Sequence, residues 1–297
     1  MKLIKPSVEL LIQGEGPQGM LKHIELAGRV CYKSEDKITE DSASKFVDGL
    51  IKSGHTSVLE HGTVNLTIPV NWETYFEENE YSPHREFIDT IYYDYYSQNI
   101  DSNGYLYVTT NYRRFLDLRE KGFDYSPYMW GETGHFPKRY SFRIVCDRGV
   151  LAEFTRHRKL SYSVESTRYC NYSKDKFNNE LTFIIPSWME EDYDYESPCR
   201  PPEDAPEYKY YLLSRALEYC EEHYLNLLKN GSKPQEARQV LPMALKTEMI
   251  VTGFESDWKH FLSLRSPKAG AKGVHPDMAV KADKIYDILT TNGYISL

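Results

Sequence analysis

The strand-like run Tyr140–Cys146 (YSFRIVC) is followed at once by a helical pattern over Val150 to Arg158. That pattern would put a dense basic stretch, Arg156-His157-Arg158-Lys159-Leu160-Ser161, near the C-terminal end of a helix. The stretch continues through Ser166-Thr167-Arg168-Tyr169. Guanidinium groups beside hydroxyl donors suit phosphate and pyrophosphate, because Arg offers a planar fork of donors that matches phosphate oxygens. An ordinary basic run is a solvated helix face. The order of residues here is too particular for that reading alone.

Strand and helix signals interleave along the whole chain without an internal repeat, which predicts one α+β domain. Ala43, Phe46, Val47, Leu50 and Ile51 keep helical spacing, with Thr39 as a candidate N-cap and Gly54 past the end. Thr63 to Val70 alternates as a strand does, and Leu181 to Ile185 reads as another. Glu196 to Pro206 holds four prolines and reads as a loop. Leu213, Leu217, Cys220, Tyr224 and Leu227 give one face of a long helix ending at Gly231. Ser232 and Gln235 form a capping-box pattern for the next helix. Lys246 to Gly253 leans to strand through its β-branched residues, Ser256 is a candidate cap for a helix through Arg265, and a final helix is expected from about Pro276 to Leu289. The stretch Asn71 to Lys138 is polar, irregular and Tyr-rich, apart from a strand at Tyr105–Thr110 and a helix at Tyr112–Lys121. Its apolar residues look too scattered to bury alone. Residues 1–297 are therefore expected to form a single domain with an elaboration at about 72–138.

The formal net charge of −8 argues against a nucleic-acid partner and for a local pocket that takes a small anion. The five cysteines, Cys31, Cys146, Cys170, Cys199 and Cys220, are odd in number and include no C-x-x-C pair. Reduced thiols in a cytoplasm are the expectation. The start Met1-Lys2-Leu3-Ile4-Lys5-Pro6 is too short in apolar residues for a signal peptide, and no run approaches the roughly 20 residues of a membrane helix. A metal at His55, Glu60 and His61 is not expected, because the spacing lacks the i, i+4 histidine pair and a fourth ligand.

Five segments together resemble the flavin-dependent thymidylate synthases. Arg156–Ser161 is similar to that family's R-H-R-x-x-S signature, and His55-Thr56-Ser57-Val58-Leu59-Glu60-His61 to its H-x-T/S-x-x-E-H segment. Ser166–Tyr169 is similar to S-x-R-Y, Glu236-Ala237-Arg238-Gln239-Val240-Leu241-Pro242 contains A-R-x-x-L-P, and His260-Phe261-Leu262-Ser263-Leu264-Arg265 resembles H-F-L-x-L-R. Their order is the family's order. The resemblance implies a central, mostly antiparallel sheet flanked by long helices, the fold of thymidylate synthase-complementing proteins. It implies conversion of dUMP to dTMP, with FAD as cofactor and methylenetetrahydrofolate and NADPH as co-substrates, in a homotetramer whose sites lie between subunits. By resemblance, FAD would be bound by His55, Ser57, Glu60, Arg156, His157, Arg158 and His260. The nucleotide would be bound by Glu153, Arg156, Glu165, Ser166, Thr167, Arg168, Arg238 and Arg265. Arg265 would carry chemistry by stabilising negative charge on the uracil ring. Cys170 is expected only to pack, since the family uses no cysteine nucleophile.

The chain departs from the family pattern in three places. Val164 stands where Gln or Glu is common, Phe254-Glu255-Ser256 replaces an N-x-R element, and Ser266–Val274 replaces A-Q-x-E-I. Two alternatives stay open: a related flavin enzyme that leaves a different group, such as hydroxymethyl, on the pyrimidine, and a non-catalytic nucleotide- or RNA-binding relative.

Overall fold

The computed structural model describes residues 1–130, 135–189, 193 and 199–295. Its first half runs β1 (Lys2–Ile4), β2 (Ser7–Leu11), α1 (Gly16–Tyr32), α2 (Ser42–Lys52), β3 (Thr63–Pro69), α3 (Trp72–Glu77), α4 (Pro83–Tyr92), β4 (Gln98–Ser102), β5 (Tyr105–Asn111) and α5 (Tyr112–Glu120). The second half runs β6 (Arg139–Asp147), α6 (Arg148–Phe154), β7 (Ser161–Val164), β8 (Thr182–Ile184), α7 (Tyr208–Lys229), α8 (Pro234–Ala237), β9 (Lys246–Phe254), α9 (Glu255–Arg265) and α10 (Pro276–Thr291). The fold is α+β with antiparallel sheets. Among the described residues the parallel pairing is β1 with β8.

The central sheet has the order β2-β6-β9-β7. β9 pairs with β6 from Lys246↔Asp147 to Phe254↔Arg139, and with β7 from Met249↔Val164 to Thr252↔Ser161. Both of its faces are covered, so it reads as a nearly continuous buried run. On one face Met249 and Val251 join Phe142, Ile144, Trp258 and Phe261 in a core closed by Met278, Ala282, Ile285 and Leu289 of α10. Those four recur at helical spacing, which is why that segment coils and which face it buries. On the other face Ile250 meets Ala27 and Val30 of α1. The first-half sheet, β3-β5-β4, builds a second core with α1, α2, α4 and α5. Gly28 is needed where α1 crosses α2: a Cβ there would lie 2.7 Å from the Phe46 ring.

The α1 side of the central sheet also buries a polar chain. His23 Nε2 is 2.9 Å from Ser141 Oγ, Ser141 Oγ is 2.7 Å from Thr252 Oγ1, and His61 Nδ1 is 2.8 Å from Thr252 Oγ1. Burial, then the positive Arg139, pulls the His23 pKa down to about 4. Burial, then His23 and Arg139, holds His61 well below the usual range. Both rings are neutral in the fold, whereas the unfolded chain protonates them below about 6.5. The unfolded state therefore binds more protons over that interval, and stability falls as pH drops from about 6.5 toward 4. Denaturant melts should show this slope, and His23→Gln, which cannot titrate, should reduce it by close to one proton. An unchanged slope would mean that His23 is charged in the fold.

Several local expectations are corrected. Thr39 does not cap α2; Asp41 precedes the helix, and Ser42 Oγ accepts the Thr39 N–H instead. α8 starts one residue later than the Ser232 pattern implies, because Glu236 accepts the Lys233 N–H at 2.8 Å. Asp257, not Ser256, sets the start of α9 by accepting the Phe254 N–H at 3.1 Å. α6 stops at Phe154, so Arg156 and Arg158 lie in the turn beyond it. On α7 the buried face is Tyr210, Ser214, Leu217 and Tyr224, while Leu227 is 36% exposed. The Tyr-rich stretch is far more ordered than its sequence suggests, with α3, α4 and β4 in addition to the expected strand and helix. Its apolar residues bury because α1 and α2 supply Met20, Ile24, Val47 and Leu50 against them. Of the proline-rich segment, residues 196–198 lie outside the described residues, and 199–206 is irregular.

Candidate active site

Arg265 ends α9, whose Trp258, Phe261 and Leu262 are buried. α6 begins where Asp147 accepts the Val150 N–H at 2.8 Å, and it delivers Glu153 one residue before its end at Phe154. The following turn closes through His157 N–H to Phe154 O and Leu160 N–H to His157 O. Phe261 fixes both sides: it stacks on Phe154 at 5.0 Å and takes the edge of His157 at 4.8 Å. The result is a clamp. Arg265 Nη1 donates to Glu153 Oε2 at 2.7 Å, and Arg265 Nε donates to His157 Nε2 at 3.2 Å. Burial, then Arg265 and His260, draws the His157 pKa down to about 4. His157 is therefore neutral, accepts at Nε2 and carries its proton on Nδ1. Nη2 of Arg265 has no partner among the described residues, and the side chain is 20% exposed. Such a guanidinium can meet an oxygen that gains negative charge without having to reorient.

A second cluster joins the Glu60 turn to Ser161. Glu60 accepts from Ser161 Oγ at 2.8 Å and from Arg113 Nη1 at 2.7 Å, while its carbonyl takes Arg139 Nη2 at 2.8 Å. Burial lowers the Arg139 pKa to about 10, with Glu60 and Asp257 opposing. A cleft of about 280 Å³ opens here, with Arg158 and Lys159 on its rim. Both are exposed and make no hydrogen bond or ion pair among the described residues. Unpaired cations of this kind are a donor set that fits a diphosphate.

A third cluster surrounds Glu165, which is 1% exposed. Its carboxylate accepts from Tyr172 Oη at 2.9 Å and Lys246 Nζ at 2.7 Å. Lys246 continues to Glu248 at 3.3 Å, and Lys33 reaches Glu248 at 2.6 Å. The Ser166 N–H bonds Cys31 O at 3.0 Å, which seats the Ser166–Arg168 turn beside the end of α1. Arg168 lies over the Tyr169 ring at 5.3 Å, and Tyr169 meets Tyr32 at 5.2 Å. Cys170 is 1% exposed, and burial pushes its thiol up to about 11, as suits a packing residue.

Among the expected site residues, Glu153, His157 and Arg265 therefore touch one another, and Glu60 touches Ser161. Arg156, Thr167, Arg238, His55, Ser57 and His260 make no side-chain hydrogen bond or ion pair among the described residues, and all but Thr167 are exposed. Arg168 has its tyrosine ring. Sequence reasoning missed Arg113, Arg139, Lys246, Glu248 and Lys33. For Lys246 and Glu248 a signal existed: two charges at i, i+2 in an otherwise buried strand point to one face and must be paired there.

The sequence model described as thymidylate synthase complementing protein matches residues 13–74 and 138–291. The chain belongs to that family. All five sequence segments fall inside the matched stretches, and residues 75–137 lie between them. The flavin-dependent thymidylate synthase of Mycobacterium tuberculosis is 30% identical over 156 residues, covering 50% of this chain and 58% of that one. The enzyme of the same name from Corynebacterium efficiens is 32% identical over 136 residues, covering 46% and 50%. This chain thus spans between half and three-fifths of the length of these relatives. Among solved structures, a UMP/dUMP methylase, PolB from Streptomyces cacaoi, bound with 5-Br dUMP, covers 98% of this chain and 93% of its own at 19% identity and TM-score 0.43.

Proposed function

We propose that this chain methylates dUMP reductively to dTMP, using 5,10-methylenetetrahydrofolate as carbon donor, NADPH as reductant and FAD as cofactor. The observation that carries the reading is the Glu153–His157–Arg265 clamp, which joins the R-H-R segment to the H-F-L-x-L-R segment through two bonds to one guanidinium. FAD, when bound and reduced, supplies the hydride, and the folate supplies the one-carbon unit. The protein's part is to orient and to stabilise charge.

Arg265 is read as the catalytic residue, facing the uracil ring as it becomes anionic. Glu153 holds the guanidinium in place, and neutral His157 fixes its second edge without adding a competing positive charge. Arg156 and Arg158, with His55, Ser57, Glu60, His157 and His260, are read as the flavin side. Ser166, Thr167, Arg168 and Arg238, with Glu165, are read as the nucleotide side. The exposed, unbonded Arg156 and Arg238 suit a site completed by another subunit, in keeping with a homotetramer. A cytoplasmic location with no nucleic-acid or membrane partner completes the reading. Among the described residues no helix is long and apolar enough to cross a membrane.

The test is an anaerobic assay of the FAD-loaded protein with dUMP, methylenetetrahydrofolate and NADPH, with product identified by mass. The expected result is NADPH oxidation that depends on dUMP and a product with the mass of dTMP. A protein that stays colourless with excess FAD, or a product of hydroxymethyl mass, would overturn the reading.

A further inference from the structure

Arg265 is the last residue of α9, and a helix end is where a chain normally frays. Here the sequence stops the helix sharply. Pro267 drives the residue before it out of the helical region, and Ser266 is extended at φ −103° and ψ 115°. Gly270, at φ 90°, then lets the chain turn back. This turn opens the stretch Ser266–Val274, one of the places where the chain departs from the family pattern.

Ser266 is the centre of the turn, and it is 0% exposed. Its N–H donates to Leu262 O at 2.8 Å and closes the last turn of α9. Its carbonyl accepts the Ala269 N–H at 3.0 Å and the Ala271 N–H at 3.1 Å. Its hydroxyl donates to Asp283 Oδ1 at 2.5 Å, and the same oxygen accepts the Lys268 N–H at 3.2 Å. Asp283 stands on α10 next to Ala282, and Met278, Ala282, Ile285 and Leu289 bury that helix completely along one face. The carboxylate is therefore carried by a helix locked in the core. Lys268 and Asp287 make a second link between the turn and α10, but both side chains are about half exposed and the pair contributes little.

Arg265 is thereby held at both ends. Glu153 and His157 fix its guanidinium, and the Ser266 turn fixes its backbone. A hydroxyl that donates to a carboxylate makes a charge-assisted bond, stronger than a neutral one. Without the acceptor, the Ser266 hydroxyl is buried with no partner, and the turn regains one only by opening to water. Opening the turn frees the end of α9 and moves the guanidinium.

We propose that Asp283 is a positioning residue for Arg265, acting from α10 through the Ser266 hydroxyl. The assignment rests on the reading of Arg265 as the catalytic residue.

Asp283→Ala, Asp283→Asn and Ser266→Ala are compared with the native chain, each loaded with FAD and assayed well below its melting temperature. Asp283→Ala should lower kcat by roughly 10- to 100-fold, the scale of a misplacement of about 1 Å. FAD affinity and the KM for NADPH should not change. Asp283→Asn keeps an acceptor oxygen for both donors and should restore most of the rate. Ser266→Ala removes the donor without leaving a buried orphan, so it should fold and lose rate as Asp283→Ala does. In an Arg265→Ala background, Asp283→Ala should cost nothing further in single-turnover rate. Amide hydrogen exchange over residues 258–266, read by mass spectrometry, should speed up in Asp283→Ala and Ser266→Ala and return to native in Asp283→Asn. Native kcat in both Asp283→Ala and Ser266→Ala, an equal loss in Asp283→Asn, or a further loss on top of Arg265→Ala would overturn the proposal. If the native chain turns over dUMP and only these outcomes fail, the positioning role is wrong and the enzymatic reading stands. If the native chain gives no turnover but exchange still depends on the Asp283 oxygen, the tie stands and the enzymatic reading falls. Unchanged exchange in an inactive chain would remove both.

Discussion

Arg265→Ala should cut thymidylate formation by at least roughly 10²–10³ in kcat while leaving FAD bound. The expectation follows from how the guanidinium is held. Two of its three nitrogens are tied to Glu153 and His157, and the third is unbonded. A donor that does not move when charge develops is worth more than one that must be recruited. Arg265→Lys should recover little, because an ammonium cannot hold both partners and still present a donor in the same plane. The substitution leaves Glu153 without its cation, yet Glu153 is 26% exposed, so water can solvate it and the fold should survive. Single-turnover product formation and flavin affinity, measured on the same preparations, separate the effects. Unchanged turnover would remove Arg265 from its assigned role. Loss of flavin in parallel with turnover would make it a binding residue instead.

The segments that meet around Arg265 were legible because their residue order is specific. Glu153 was expected too, but as a nucleotide contact, and its bond to Arg265 was not foreseen. One-dimensional order says which residues share a site, whereas it does not say which carboxylate is already spent on which arginine. Glu165 makes the same point, since its oxygens are occupied by Lys246 and Tyr172.

The strands β3, β5, β6 and β9 and the helices α7, α9 and α10 were readable because each buries a periodic set of residues. Of the Tyr-rich stretch, β5 and α5 were readable, but α3, α4 and β4 were not. Ile88, Ile91, Leu106, Val108, Phe115 and Leu118 are separated by charged and tyrosine residues, and half of the core they enter comes from α1, α2 and β3. Local pattern cannot reveal a core whose other half lies far away in sequence. The caps at Thr39, Ser232 and Ser256 failed for a local reason. Each has a rival donor or acceptor within three residues, and side-chain reach, not residue type, decides between them.

The second large effect concerns stability. Glu248→Gln should cost on the order of 3–5 kcal/mol, the loss typical of breaking a buried ion network on one side. Glu248 is 4% exposed and sits among three cations, Lys33 at 2.6 Å, Arg143 at 2.5 Å and Lys246 at 3.3 Å. Burial alone would raise its pKa, but Lys33 and Lys246, with Arg143 behind them, hold it down at about 2. Without the carboxylate, the three cations lose their shared buried partner and keep only outer ones, Glu35 beside Lys33 and Arg143 and Glu165 beside Lys246, while Arg143, one-third exposed, can turn to water. Lys33 is also held in the left-handed region at φ 49°, where a non-glycine residue is strained and needs its surroundings to keep it. Its bond to Glu248 is one of the ties that keep it there. The expected result is a melting temperature lower by about 10 °C at pH 7. The pH dependence gives a second reading. A carboxylate with a lowered folded pKa contributes stability above its unfolded value near 4.5 and loses it as pH falls toward 2. The gap between native chain and variant should therefore be largest at neutral pH and narrow steadily below about 4.5. A variant within a degree or two of the native chain at pH 7 would show that the three cations are solvated and the network contributes little. A gap that does not narrow in acid would place the cost in side-chain packing rather than charge.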